Sequence, residues 1–223
     1  DLRLFKPQAW GLRPEPASAP LPEGLLAAAI LSPDLAAESY ADFEAGATVG
    51  PGRLAGRLAS LDGHVVRHDL DAALAARGVV FGPAEQLLAS HEAVLRPHWF
   101  RVIDSGCDWF AAAHAAFHAA SAVLYVPPGV RIADPLHVVA GITDGGVDTS
   151  HVLVVLGEGA EATVLTETAG GGPAGGPGGF HCGGTEIVVG KGAFLRIVNL
   201  QNWNTGVWHF ARQKAVVHES GRL

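Results

Sequence analysis

From residue 122 onward the apolar positions fall in short runs rich in Val, Ile, Leu and Thr, each bounded by Gly or Asp. Residues 122–126, 136–142, 151–156, 162–166, 185–189, 194–200 and 207–217 are predicted as strands, because β-branched side chains suit a pleated surface and Gly or Asp ends it. Before residue 122 the spacing is helical. Asp69 caps a short helix that ends at Arg77-Gly78, and Pro83 opens a second with Leu87, Leu88, His91, Val94 and Leu95 on one face. A third, Ala-rich helix is predicted over 108–121, with Phe110, Ala113, Phe117 and Ala120 at helical spacing. Val79-Val80-Phe81 reads as a short strand between the first two helices. Residues 1–60 are Pro- and Ala-rich and read as loosely helical. The pattern therefore predicts a small, mostly helical region over 1–121 and a strand region over 122–223.

The turns after the apolar runs recur. Pro127-Pro128-Gly129, Gly157-Glu158-Gly159, Gly190-Lys191-Gly192 and Glu219-Ser220-Gly221 are spaced by 30, 33 and 29 residues, counted on their last glycines. The second and third also share their flanks, Leu156-Gly-Glu-Gly-Ala160 against Val189-Gly-Lys-Gly-Ala193. A period of this size marks a stack in which each unit buries its apolar face against its neighbours. Gly129, Gly159 and Gly192 are assigned to equivalent corners, where a tight turn demands a backbone conformation open to glycine. The longest interval holds residues 170–179, seven Gly and two Pro in ten, which reads as an insertion loop. This spacing points to a β-solenoid, and a β-sandwich with regular hairpins would give a similar one.

Composition narrows the function. The 223 residues are 48% hydrophobic and carry a formal net charge of −7, with 15 basic against 22 acidic residues. No basic run offers the surface that phosphates need, so nucleic acid is not an expected partner. The longest aliphatic run, 25–31, is far too short to cross a bilayer and its Pro-rich flanks do not suit a signal peptide, so no membrane association and a cytoplasmic location are expected. Two cysteines, Cys107 and Cys182, imply no disulfide framework.

Candidate chemistry is sparse. His114 and His118 stand four apart on the third predicted helix, but His-Ala-Ala-Phe-His lacks the general-base Glu of a zinc peptidase and has no third ligand nearby. His181-Cys182 joins imidazole and thiol at the entrance to a strand and is the one weak cofactor-binding candidate. Adjacent strand residues point to opposite faces, so one buried and one exposed side chain is expected there. Ser150-His151 with Asp144 and Asp148 holds the residue types of a hydrolytic triad without a nucleophile elbow. Cys107 precedes the third helix, where a helix N-terminus favours thiolate, but has no evident base. No catalytic residue, metal ligand or tightly bound cofactor is assigned, and the chain is expected to be a non-catalytic scaffold.

The ordered series Arg77-Gly-Val-Val-Phe81, Phe110-Ala-Ala-Ala-His114-Ala-Ala-Phe117, Leu124-Tyr-Val-Pro-Pro-Gly-Val130, Phe180-His181 to Gly192-Ala193 and Leu200-Gln-Asn-Trp203 resembles the SufB/SufD family of iron–sulfur cluster assembly proteins. The resemblance runs from about residue 78 to 217. It implies a right-handed parallel β-helix behind a small helical region, and a scaffold role beside a related SufB/SufD-like subunit and a SufC-like ATPase. It also implies a transient iron–sulfur cluster in the full complex, and further β-helix beyond the matching stretch. SufB-type chains carry a Cys where this chain has Glu167-Thr168-Ala169-Gly170, which favours a SufD-like member. Self-association is the expectation for the isolated chain, since the end of a solenoid leaves an unpaired edge. Two other classes compete. A cupin-like metal enzyme is suggested by Tyr125-Val-Pro-Pro-Gly129 before His137, though without a His-x-His pair, and a polysaccharide-binding solenoid by Trp203 and Trp208.

Overall fold

The computed structural model describes residues 53–171 and 176–223. The proposed loosely helical segment therefore lies almost wholly outside the described residues, as does the middle of the Gly-rich loop. Eleven strands and four short helices are described: β1 (Gly56–Leu61), β2 (His64–Leu70), α1 (Ala72–Ala75), β3 (Val80–Pro83), α2 (Ala84–Ser90), α3 (Glu92–Leu95), α4 (Trp109–Phe117), β4 (Ala122–Val126), β5 (Leu136–Ile142), β6 (Val147–Asp148), β7 (His151–Leu156), β8 (Glu161–Gly170), β9 (Gly179–Val189), β10 (Phe194–Trp203) and β11 (Val207–Val217). The fold is mainly β.

The strands form two sheets, ordered β10-β8-β5-β1-β2 and β11-β9-β7-β4-β3. Apart from the two-residue β6, strands from β4 onward alternate between the sheets, and from β7 onward each pairs in parallel with the strand one turn earlier. Val138, Thr166 and Asn199 thus share one rung, and Ala122, Val152, Thr185 and Gln213 another. The antiparallel hairpin β1–β2 extends the first sheet beyond β5, and β3 pairs antiparallel with β4 at the end of the second.

The facing sides of the sheets meet in one core. Leu58, Leu136, Val164 and Leu195 come from one sheet and Leu124, Val154, Ile187 and Val189 from the other. A second layer packs Ala84, Leu95 and Val102 onto Val123, Leu153, Val155 and Val188 on the outer side of the second sheet. Strand β7 is buried on both faces, which is why it reads as an unbroken apolar run rather than an alternation.

The corners stack in register. Gly129, Gly159 and Gly192 have φ of 72°, 65° and 63°, and their N–H groups donate to the carbonyls of Glu158, Lys191 and Glu219 in the next turn. The fourth corner departs from the sequence count. Ser220, with φ 56°, occupies the glycine position, while Gly221 donates to the His218 carbonyl as Ala160 and Ala193 do to Gly157 and Gly190. The matching residue therefore precedes Gly221 by one, and hydrogen bonding rather than residue type sets the register.

These corners separate two costs of a side chain. A Cβ on Gly159 meets nothing within 4 Å, so Gly159→Ala should cost only the left-handed backbone, about 1–2 kcal/mol. A Cβ on Gly190 would lie 2.6 Å from the Leu156 carbonyl oxygen, so Gly190→Ala should destabilise more. Urea unfolding of the two variants gives the order, and equal losses would contradict it.

Three local expectations change. Residues 56–70 form a hairpin inside the region expected to be mostly helical, because Leu58 is buried in the intersheet core as β1 extends the first sheet. The helices are shorter: α1 is capped by Asp71, not Asp69, and α4 stops at Phe117. Strands β8, β9 and β10 run longer, since pairing carries polar and glycine residues into the ladder where local preference would end it. Gly183 and Gly184 must be glycine there. A Cβ would come within 2.7 Å of His181 Nε2 and 2.4 Å of His114 Cε1 respectively.

Candidate functional site

Between the two sheets the lining changes from apolar to polar along the stack. One rung passes from Val138 to Thr166 to Asn199, the next from Ala140 to Thr168 to Gln201. On the facing sheet Val152 gives way to Thr185 and Gln213, and Asp148 to His181 and His209. These polar rungs line a cavity of about 270 Å³.

The cavity's histidines are organised by donors of fixed direction. Trp203 donates its indole N–H to Nδ1 of His209 at 2.9 Å. An indole can only donate, so neutral His209 carries its proton on Nε2. The Gln201 amide nitrogen stands 3.1 Å from that nitrogen, so the amide must be turned over to accept through its oxygen. His181 stacks on His209 with ring centroids 4.6 Å apart, and its Nε2 lies 3.4 Å from Asp148 Oδ2. Asp148 also accepts from the Ser150 hydroxyl at 2.8 Å. Burial pushes the Asp148 carboxyl up to about 6, against the Ser150 hydrogen bonds. Burial, then the neighbouring His209 and His114, push His181 down to about 3. Hydroxyls, amides and neutral imidazoles thus line the cavity together with Glu167 and Arg212.

A second cluster lies on the outer side of the same sheet. Glu186 is fully buried, and its carboxylate accepts from the backbone N–H groups of Phe100, Val102 and Ile103 at 2.7, 2.6 and 2.6 Å. His151 Nε2 stands 3.2 Å from it, with the Phe100 ring stacked on the imidazole at 4.2 Å. Burial opposes ionisation of Glu186, but the hydrogen bonds from His151, Ile103 and Val102 outweigh it and hold the carboxyl below its ordinary range.

The residues singled out in the sequence separate accordingly. His181 and Cys182 do face opposite sides of β9, but both are buried, because the 97–108 loop and α4 cover the outer side that was expected to be open. Ser150 bonds Asp148 while His151 bonds Glu186, so no triad forms. His114 is buried, but helical geometry ends before His118, whose ring bonds the Ala115 carbonyl; the two do not share a ligand position. Arg212 donates to Cys107 and Asp108 beside the start of α4. His137 pairs with Glu167 at 3.2 Å instead of with a second histidine. Trp203 packs against His181 and His209, whereas Trp208 is exposed on the other sheet, so the two tryptophans share no platform. Among the described residues no three His, Cys, Asp or Glu side chains converge as a metal site. No described helix is long and apolar enough to cross a membrane. Glu186, Arg212 and His209 escaped sequence reasoning. The one available signal was the lone carboxylate of Glu186 inside an apolar strand.

Residues 139–223, which supply most of this cavity's walls, match the family model described as "SUF system FeS cluster assembly, SufBD core domain". This part of the chain is similar to a SufBD core domain. The wider chain is 29% identical over 171 residues to the iron–sulfur cluster assembly protein SufB of Bacillus subtilis, covering 76% of this chain and 36% of that protein. It is 26% identical over 171 residues to an iron–sulfur cluster assembly SufBD family protein of Staphylococcus epidermidis, with the same coverage. A SufBD family protein of Staphylococcus aureus is 25% identical over 179 residues. The chain spans about a third of the length of these relatives. The SufBD core match begins in β5, and the relatives are matched well beyond it.

Proposed function

We propose that this chain acts as a non-catalytic scaffold in iron–sulfur cluster assembly, in a cytoplasmic complex with a SufB/SufD-like subunit and a SufC-like ATPase. The observation that carries the proposal is the SufBD core match over the strands that enclose the polar cavity. Its stack of parallel strands alternating between two sheets supports a right-handed β-helix, the hand that parallel crossovers favour. The cluster belongs to the complex as cargo. The absence of a thiol at Glu167–Gly170, where Thr168 faces the cavity, supports a SufD-like member. Co-expression of the chain with a SufC-like ATPase and a SufB-like subunit tests the proposal. Retention of both partners through size exclusion, and cluster formation that needs this chain, is the expected result. Loss of both partners together with unchanged cluster formation when the chain is omitted would overturn it.

A further inference from the structure

One face of α4 is bare. The helix has no acidic, Lys or Arg residue, and Ala111 and His114 are buried on its inner side. Trp109, Ala112, Ala116 and Phe117 lie on the outer side, all exposed, with Trp109 at 57% and Phe117 at 52%. The apolar surface continues onto β11. The Trp109 and Phe110 ring centroids are 4.0 Å apart, Phe110 stacks on Phe210 at 4.1 Å, and Trp208 is 60% exposed. A contiguous patch of large aromatic side chains has the composition of a protein interface.

The symmetry of this face selects its occupant. The strip is aromatic at both ends and Ala-lined between them, centred on Ala113. A second copy laid over it end for end sets Trp109 of each copy on Phe117 of the other, while the alanines let the two helices approach closely. The flanking charges follow the same symmetry. The ring centroids of Phe100 and His118 are 5.0 Å apart, so Arg101 follows beside the C-terminal end of α4. The Asp104 carbonyl accepts from the Cys107 N–H, so Asp104 lies beside the first turn. Both side chains are exposed, and among the described residues neither belongs to an ion pair. End-for-end packing brings Arg101 of each copy to Asp104 of the other and opposes the two helix dipoles.

We propose that the outer face of α4 is a homodimer interface, on which a second copy of this chain packs end for end. Trp109 of each copy covers Phe117 of the other, and Arg101 of each faces Asp104 of the other. This surface is separate from the β11 edge. It is also independent of the assembly role, so either stands if the other fails.

Sedimentation equilibrium over a concentration series tests the proposal, and the unaltered chain should pass from monomer to dimer. Arg101→Glu and Asp104→Arg, each checked for native circular dichroism, set like charges against each other at both ends of the contact. Each should raise the dimer Kd at least about tenfold. Mixed in equal amounts, the two variants should pair with each other, because every contact then joins opposite charges. Trp109→Ser should also weaken the dimer at least about tenfold, as loss of a buried aromatic anchor does. A monomer at every concentration, a dimer indifferent to Trp109→Ser or to both charge reversals, or charge variants that fail to pair on mixing would each overturn the proposal. Association through the β11 edge would show itself as that indifference.

Discussion

Replacing Glu186 by alanine is expected to lower stability by about 3–5 kcal/mol, the range found when one partner of a buried charged cluster is removed. The carboxylate holds three consecutive-loop amides, those of Phe100, Val102 and Ile103, against the outer side of β9. Alanine leaves those N–H groups and His151 Nε2 without their acceptor in a buried setting, and each orphaned buried group costs about 1–3 kcal/mol unless water reaches it. Glu186→Gln should recover only part of the loss. Its carbonyl accepts, but its NH2 group faces further donors. Urea unfolding gives the size of the effect, and amide exchange at Phe100, Val102 and Ile103 shows whether the loop is released. A loss below about 1 kcal/mol with those amides still protected would show that the loop is held by Leu95 and Val102 packing instead.

Stability should also fall as the pH drops from about 6.5 towards 4. In the unfolded chain His114 protonates near its ordinary value of 6.5, but in the fold only near 4. Between those values the unfolded state binds the extra proton, so acid favours unfolding. At about 1.36 kcal/mol per pH unit, this single group removes about 3 kcal/mol across the window. His181, pushed down to about 3, acts in the same direction over a wider span. Asp148 opposes them. Its carboxyl titrates near 6 in the fold, above its ordinary value of 3.8, so its contribution is greatest at low pH and is lost as pH rises through 6. Glu186, held low, adds a further loss when acid protonates it. His114→Gln removes one titrating group and should flatten the stability–pH curve by about 3 kcal/mol between 6.5 and 4. Unfolding midpoints at several pH values, compared with the parent chain, decide it, and parallel curves for the two proteins would refute the assignment to His114.

Much of the strand region was legible because its information is local. Seven apolar runs, the Pro83 helix start, the start of the third helix near Asp108 and the spacing of Gly129, Gly159 and Gly192 depend on propensity and turn geometry within a few residues. The ordered segments that resemble the SufBD family were equally visible in one dimension. Other features arise only when distant strands meet. Ser220 takes a glycine's place in a corner whose Glu219 carbonyl accepts from Gly192 of the turn before it. The hairpin at 56–70 joins a sheet whose other strands begin eighty residues later, so no window along the chain contains its partner. Glu186 is ionised and buried because three amides from residues 100–103 reach it across 83 to 86 positions. His181 and His209, 28 residues apart in sequence, stack because β9 and β11 pair in register. Local sequence determined which segments form strands and where they turn. Tertiary pairing decided which polar side chains face one another, because burial and electrostatic environment are set by neighbours that are remote in sequence and close in space.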